Sequence, residues 1–254
     1  MPSKFVTALP VYNEVRHVEQ VLSEVKRYSE HVVVVDDGSS DGTTELLPQI
    51  PGITVLTHEQ NRGYGAALAT AFDYAVQQGF DVVVTIDCDG QHQPQLIPEF
   101  AAAAEDAHIV SGSRYLEVFP GDSAPPEQRR RINARITAEI NRRLGFNLTD
   151  AFCGFKAYQV PAVAKFDLSE TGYAMPLELW VQAAGLELDV VEKAVPLIYL
   201  DEARSFGGAL DDGATRLEYY HLVLDRSICK WMAAGGQLPG GAELTSSTCG
   251  GRTG

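Results

Sequence analysis

Positive charge is in short supply in this chain. Its 254 residues carry 20 lysines and arginines against 34 aspartates and glutamates, for a formal net charge of −14. Binding to a nucleic-acid backbone needs a basic face, so nucleic acid is excluded as a partner. No run of about 20 apolar residues occurs, so no segment is expected to cross a bilayer as a helix. The N-terminus lacks the basic-then-apolar layout of a secretion signal. Cysteine is scarce and scattered. Cys88, Cys153, Cys229 and Cys249 show no paired spacing, which indicates neither a disulfide framework nor a zinc site and fits a reducing compartment. What remains is an ordinary soluble composition, 45% apolar and 21% charged, with no internal repeat. That length suits one large α/β domain or two small ones, and the expected location is cytoplasmic.

The most informative stretch is Val82-Val83-Val84-Thr85-Ile86-Asp87-Cys88-Asp89-Gly90-Gln91-His92. Its β-branched run reads as a strand buried on both faces, leading straight into two carboxylates one residue apart. Residues i and i+2 of an extended chain point the same way, so Asp87 and Asp89 can converge. Two hard oxygen ligands at a strand tip suit a divalent cation that shares its shell with water and substrate phosphates. The other reading is a simple turn, for which Asp-x-Asp-Gly is ordinary chemistry.

Strand and helix alternate around that stretch. Strands are predicted at residues 5–11, 31–35, 53–57, 81–86 and 108–111. Helices are predicted after residue 14, where Val15, Val18, Val21, Leu22 and Val25 recur at spacings of three and four, and at 66–78 and 94–105. The alternation predicts a parallel sheet with helices on both faces, and in such sheets ligands bind outside the carboxyl ends of the strands. Beyond Arg114 the pattern changes. Residues 127–144 read as a helix with an Ile132, Ile136, Ile140, Leu144 stripe and six arginines: Arg129, Arg130, Arg131, Arg135, Arg142 and Arg143. These arginines make either a solvated face or a phosphate- or membrane-facing patch. A strand at 152–158, a helix at 175–184, a strand at 188–195 and an amphipathic helix at 215–232 complete the expected fold. Residues 1–234 are read as one domain and 235–254, rich in Gly, Ser and Thr, as a disordered tail.

Three strand ends place acidic or amide groups along one edge: Asn13-Glu14, Asp36-Asp37 and Asp87-Asp89. Such an edge repels a naked anion. It makes sense for a nucleotide held through base and ribose, with a metal bridging its phosphates. Asp36 and Asp37 have a capping alternative, although Asp41 or Ser40 suits that task. Gly63-Tyr64-Gly65 resembles the start of a dinucleotide fingerprint, but Leu68 stands where the third glycine belongs.

Pro10-Val11-Tyr12-Asn13-Glu14, Asp36-Asp37-Gly38-Ser39-Ser40-Asp41-Gly42-Thr43, Asn61-Arg62-Gly63-Tyr64-Gly65-Ala66-Ala67, Asp87-Cys88-Asp89-Gly90-Gln91-His92 and Gly112-Ser113-Arg114 occur in the order found in inverting family 2 glycosyltransferases of the GT-A fold. Asp150-Ala151-Phe152-Cys153-Gly154-Phe155-Lys156 and Gly172-Tyr173-Ala174-Met175-Pro176-Leu177-Glu178 are similar to segments of the dolichol- and polyprenyl-phosphate hexose synthases. The resemblance covers residues 4–210. It implies a Rossmann-like, mostly parallel sheet and transfer of mannose or glucose from GDP-mannose or UDP-glucose to a polyprenyl or dolichyl phosphate. Pro10, Tyr12, Glu14 and Asp37, with Asn61 and Gly63, would line the nucleotide. Asp87, Asp89 and Gln91 would hold Mg²⁺ or Mn²⁺. Arg114 and an arginine of the 129–135 cluster, here taken as Arg131, would bind the acceptor phosphate, and Arg204 would cover the donor phosphates.

A phosphate monoester already carries a charged oxygen at neutral pH, so a phosphate acceptor needs no catalytic base. A hydroxyl acceptor would need one, with Asp150 and Glu178 as candidates. The chain also departs from the family pattern. After Arg204-Ser205-Phe206-Gly207 a Ser-Lys pair is usual, whereas this sequence continues Gly208-Ala209-Leu210. Two alternatives therefore stay open: a glycosyltransferase with a soluble hydroxyl acceptor, and a catalytically weak nucleotide-binding partner subunit. Without an anchor, a polyprenyl acceptor would require peripheral docking at the cytoplasmic membrane face or a membrane partner subunit.

Overall fold

The computed structural model describes residues 3–199 and 208–239. Arg204 and its motif, and the tail from residue 240, lie outside the described residues. The chain runs β1 (Phe5–Val11), α1 (Val18–Val25), β2 (Val32–Asp36), α2 (Thr43–Leu46), β3 (Thr54–Thr57), α3 (Tyr64–Gln77), β4 (Val82–Thr85), α4 (Ile97–Ala103), β5 (Ile109–Ser113), α5 (Glu127–Leu144), β6 (Lys156–Gln159), α6 (Val160–Val163), α7 (Met175–Gly185), β7 (Val190–Ala194) and α8 (Gly213–Ala233). The seven strands form one sheet in the order β3-β2-β1-β4-β6-β5-β7.

Valine-rich β2 and β4 are buried along their whole length because helices cover both faces of the sheet. Alternation sorts the side chains. Val33 and Val35 join the core beneath α3, α5, α7 and α8, whereas Val32 and Val34 join the core beneath α1 and α4. Strand order reverses beside β1, with β2 on one side and β4 on the other, both parallel to it. The carboxyl ends of β1 and β4 thus part at a topological switch point, where a crevice opens.

The sheet is mostly parallel, with one reversal. β6 runs antiparallel between β4 and β5. It is shorter than the predicted 152–158 strand, because Asp150 turns the chain by accepting the Phe152 N–H at 3.1 Å. Pairing with β4 begins only at Lys156 opposite Thr85. Val15 lies outside α1: the Glu14 carbonyl accepts the His17 and Val18 N–H groups, so the chain is still turning there. Pro94–Leu96 forms a single tighter turn before α4, and α2 has no counterpart in the sequence reading. In α5 the isoleucine stripe is buried as predicted, while Arg143 is also buried, paired with Glu139 at 3.0 Å and Asp225 at 2.6 Å. Cys88 and Cys153 are buried and outside any disulfide, whereas Cys229 is disulfide-bonded, which the scattered spacing did not indicate. No described helix is long and apolar enough to cross a membrane.

Candidate functional site

A cavity of about 520 Å³ opens at the switch point. Pro10, Tyr12, Glu14, Asp37, Asn61, Gly63, Asp87, Asp89, Gln91 and Arg114 all line it. Ten of the residues singled out in the sequence, spread over a hundred positions, thus share one wall system.

Its acidic end is built from strand tips. Asp36, the last residue of β2, is fully buried and accepts the Ser39 N–H at 3.1 Å and the Thr44 hydroxyl at 2.5 Å, so it holds the turn. Asp37 faces the cavity. Its oxygens accept the Arg62 N–H at 2.9 Å, the Gly63 N–H at 2.8 Å and His58 Nδ1 at 2.6 Å. The loop at 61–63 is thereby fastened to the tip of β2. Gly63 has φ +103°, and a Cβ there would lie 2.3 Å from the Thr171 carbonyl oxygen, so only glycine fits.

Asp87 follows β4. Its carboxylate accepts the Tyr64 hydroxyl at 3.0 Å and meets His92 Nε2 at 3.1 Å. Burial, and then the Asp87 charge, push the Tyr64 hydroxyl well above its ordinary pKa, so the phenol remains a donor. Gly154 passes directly over this carboxylate: a Cβ at that position would stand 2.2 Å from Asp87 Oδ2. Asp89 accepts the Gln91 N–H at 2.9 Å. Tyr173 stacks on Tyr64, with ring centroids 5.6 Å apart, and continues the wall. Among the described residues no three His, Cys, Asp or Glu side chains cluster closely enough to enclose a metal by themselves.

The other end is basic and apolar. Arg114, just beyond β5, forms a two-pronged ion pair with Asp150, Nε to Oδ2 at 2.7 Å and Nη2 to Oδ1 at 3.0 Å. Asp150 is wholly buried and also accepts the Asn133 amide at 2.8 Å. Burial alone would raise the Asp150 pKa, but the Arg114 guanidinium outweighs it and holds the carboxyl well below the usual range. Arg129, Lys156 and Arg216 also line the cavity, together with Ile132, Phe152, Leu179, Leu197 and Tyr220, Lys156 lying between β4 and β5 opposite Thr85. Arg129 donates to the Tyr199 hydroxyl and Lys156 to the Cys153 carbonyl, while Arg216 donates to the Leu210 carbonyl at 2.8 Å. Burial lowers the pKa of Lys156 and of Arg216 and pushes the Cys153 thiol up to about 11, so that thiol is inert.

Arg131 is not part of this lining. Its side chain is 77% exposed and pairs with Glu127 at 2.8 Å, one turn back on α5. Two residues are a turn of about 200° on a helix, so Arg129 faces the cavity and Arg131 faces solvent. Glu178 is buried away from the cavity lining. It accepts the Ser169 N–H and Glu170 N–H, both at 2.7 Å, and pairs with Lys230 at 3.3 Å. Tyr64, His92 and Lys156 stand in the motifs quoted from the sequence but received no role there, and Arg216 was not named. Arg216 did leave a signal, since it stands four residues before Tyr220 on the buried face of α8.

Comparison with known proteins gives the family and the fold. Residues 7–166 match the glycosyl transferase family 2 model. An undecaprenyl-phosphate mannosyltransferase of Micrococcus luteus is 29% identical over 87% of this chain and 95% of its own length. A polyprenol monophosphomannose synthase of Mycolicibacterium smegmatis is 31% identical over 76% of each chain. The crystal structure of S. aureus TarS 1-349 in complex with UDP superposes with a TM-score of 0.56 at 15% identity, covering 93% of this chain and 67% of that one, which shows a shared GT-A fold. The chain belongs to glycosyl transferase family 2 and is a glycosyltransferase similar to the polyprenyl-phosphate mannosyltransferases.

Proposed function

We propose that this enzyme moves a hexose, mannose or glucose, from a GDP- or UDP-linked donor to a polyprenyl phosphate, with inversion at the anomeric carbon. The observation that carries this reading is the order in which the sheet delivers charge to one cavity: carboxylates follow β2, β1 and β4, whereas Arg114 follows β5 beyond the reversed β6, and Arg129 and Arg216 line the same cavity. A sugar nucleotide suits the carboxylate side and a lipid phosphate the arginine side.

The state of the two candidate bases supports a phosphate acceptor. Asp150 is locked to Arg114 with its pKa depressed, and Glu178 is spent on the 169–170 backbone. Neither is disposed to take a proton from a hydroxyl. A phosphate monoester, with its second pKa near 6, does not ask for one.

In this reading Pro10, Tyr12, Glu14, Asp37, Asn61 and Gly63 hold the base and ribose. The donor set at Asp87, Asp89 and Gln91 fits Mg²⁺ or Mn²⁺: such an ion takes one or two carboxylates and completes its shell with phosphate and water. Tyr64 and His92 on Asp87 are the kind of outer partners that orient a ligating carboxylate. When bound, the ion supplies positive charge to the departing diphosphate. Arg114, oriented by Asp150, and Arg129 hold the acceptor phosphate, with Lys156 and Arg216 adding charge. The side chains align two anions in line and offset their repulsion, which is the main task in a transfer through an oxocarbenium-like transition state. Leu116 and Val118, the latter 91% exposed, follow Tyr115 of the cavity wall, and Arg130, Arg131 and Arg135 of α5 are exposed; apolar and basic groups of these kinds suit an anionic membrane surface.

The test is incubation with labelled GDP-mannose or UDP-glucose, Mn²⁺ and a short polyprenyl phosphate, followed by organic extraction. Label in the organic phase is expected with one donor. Label that stays aqueous with every donor sinks the proposal.

A further inference from the structure

Asp37 is one of the residues proposed above to hold the base and ribose; placed at the base edge, it is limited in what it can read by the hydrogen bonds already made to its carboxylate. An ionised carboxylate accepts only, at about two sites on each oxygen. Oδ1 receives the Arg62 N–H at 2.9 Å and His58 Nδ1 at 2.6 Å. Oδ2 receives the Gly63 N–H at 2.8 Å. Because the carboxylate cannot donate, the proton between it and His58 belongs to Nδ1. The far nitrogen, Nε2, lies 2.9 Å from the Thr70 hydroxyl, which fixes the plane of the ring. His58 is 8% exposed and Asp37 2%, so water does not exchange freely with these bonds. Oδ1 is therefore full, and Oδ2 keeps one position.

The two candidate bases differ in that count. Guanine presents N1–H and an N2 amino hydrogen side by side, a donor pair that a carboxylate satisfies with both of its oxygens. Uracil presents a single N3–H between two carbonyls. We propose that the donor is a uridine-linked sugar, and that His58 enforces this choice by occupying the position on Asp37 Oδ1 that a guanine edge requires. A guanine bound here leaves one N–H without its acceptor in a buried slot, and sites of that kind reject such ligands strongly. The device is rigid, since His58 follows β3, Thr70 belongs to α3, and Arg62 and Gly63 donate from the backbone.

The inference rests on the reading that the acidic end of the cavity holds the nucleotide, and calorimetry separates the two. UDP and GDP are titrated, with MnCl₂ present, into the full chain and into His58→Asn and His58→Leu. The parent is expected to bind UDP at least about tenfold more tightly than GDP, as one unpaired buried donor predicts. His58→Leu opens the Oδ1 position and should narrow that ratio at least about threefold, while His58→Asn, whose amide can still donate to Oδ1, should keep it. GDP binding as tightly as UDP to the parent, or a ratio unmoved by the leucine variant, overturns the inference and leaves the nucleotide site standing. Failure of the parent to bind either nucleotide overturns the proposed function as well. Should the leucine variant not fold, the parent's ratio decides alone.

Discussion

Asp37 and Arg114 line the same cavity, yet the chain holds them in different ways. Asp37 sits one residue beyond a buried strand, and its carboxylate is fixed by N–H groups of a neighbouring loop and by one imidazole. Arg114 also follows a strand, but it is fixed by Asp150, 36 residues later, which in turn depends on Asn133 of α5. The acidic end is thus a property of strand tips and tight turns. The basic end is a property of helices and a reversed strand meeting around one buried carboxylate. Both ends need distant partners: backbone N–H groups and close glycine approaches fix the first, and ion-paired side chains fix the second.

That contrast can be broken at either end. Replacing both Asp87 and Asp89 with alanine should lower transferase turnover by about a thousandfold and abolish the Mn²⁺ dependence of sugar-nucleotide affinity measured by calorimetry. Gly154→Ala places a methyl group 2.2 Å from Asp87 Oδ2. Turnover should fall by roughly a hundredfold while the far-ultraviolet circular dichroism stays that of the parent, as expected when a reacting group is misplaced. Normal turnover in this variant would show that the Asp87 position is not critical.

At the basic end, Asp150→Asn leaves half-buried Arg114 without its counter-charge and should cost up to about 3 kcal/mol in urea unfolding, below the full penalty for a wholly buried pair. The pH dependence follows from the direction of the shift. The Asp150 pKa is depressed in the folded state by Arg114, despite burial, so the pair's contribution is complete above the unfolded carboxylate value of about 3.9 and is lost as pH falls toward the lower folded value. The parent should lose this increment on acidification below about pH 4, whereas the asparagine variant should show no corresponding step. The smallest effects distinguish two arginines a half-turn apart. Arg129→Ala should raise the KM for polyprenyl phosphate by about tenfold, and Arg131→Ala by less than about twofold, as for an exposed ion pair. Equal effects would place both residues on the membrane side of the site instead of one within it.

Much of the acidic end was legible because its signals are contiguous. A run of β-branched residues that ends in Asp87-Cys88-Asp89-Gly90 announces both the strand and its tip. The strand at 5–11 and the helix at 127–144 match β1 and α5 to the residue. The later part of the chain was harder. The reversed β6 is shorter than the pattern suggests, since Phe152 and Cys153 look like strand residues yet lie in the turn around Asp150. His58 and Tyr64 gave no sign of their roles, because each acts on a carboxylate more than twenty positions away.

The sequence by itself determined the alternation of strand and helix, the acidic edge at the strand ends and the family, because these follow from side-chain periodicity and from motifs read along the chain. Only the tertiary structure decided which arginine of α5 lines the cavity, that Asp150 pairs with Arg114 and Glu178 with the 169–170 backbone, and that His58 meets Asp37. Those outcomes depend on which faces of distant elements meet and on which buried charges then find partners, and neither is written in any local stretch of residues.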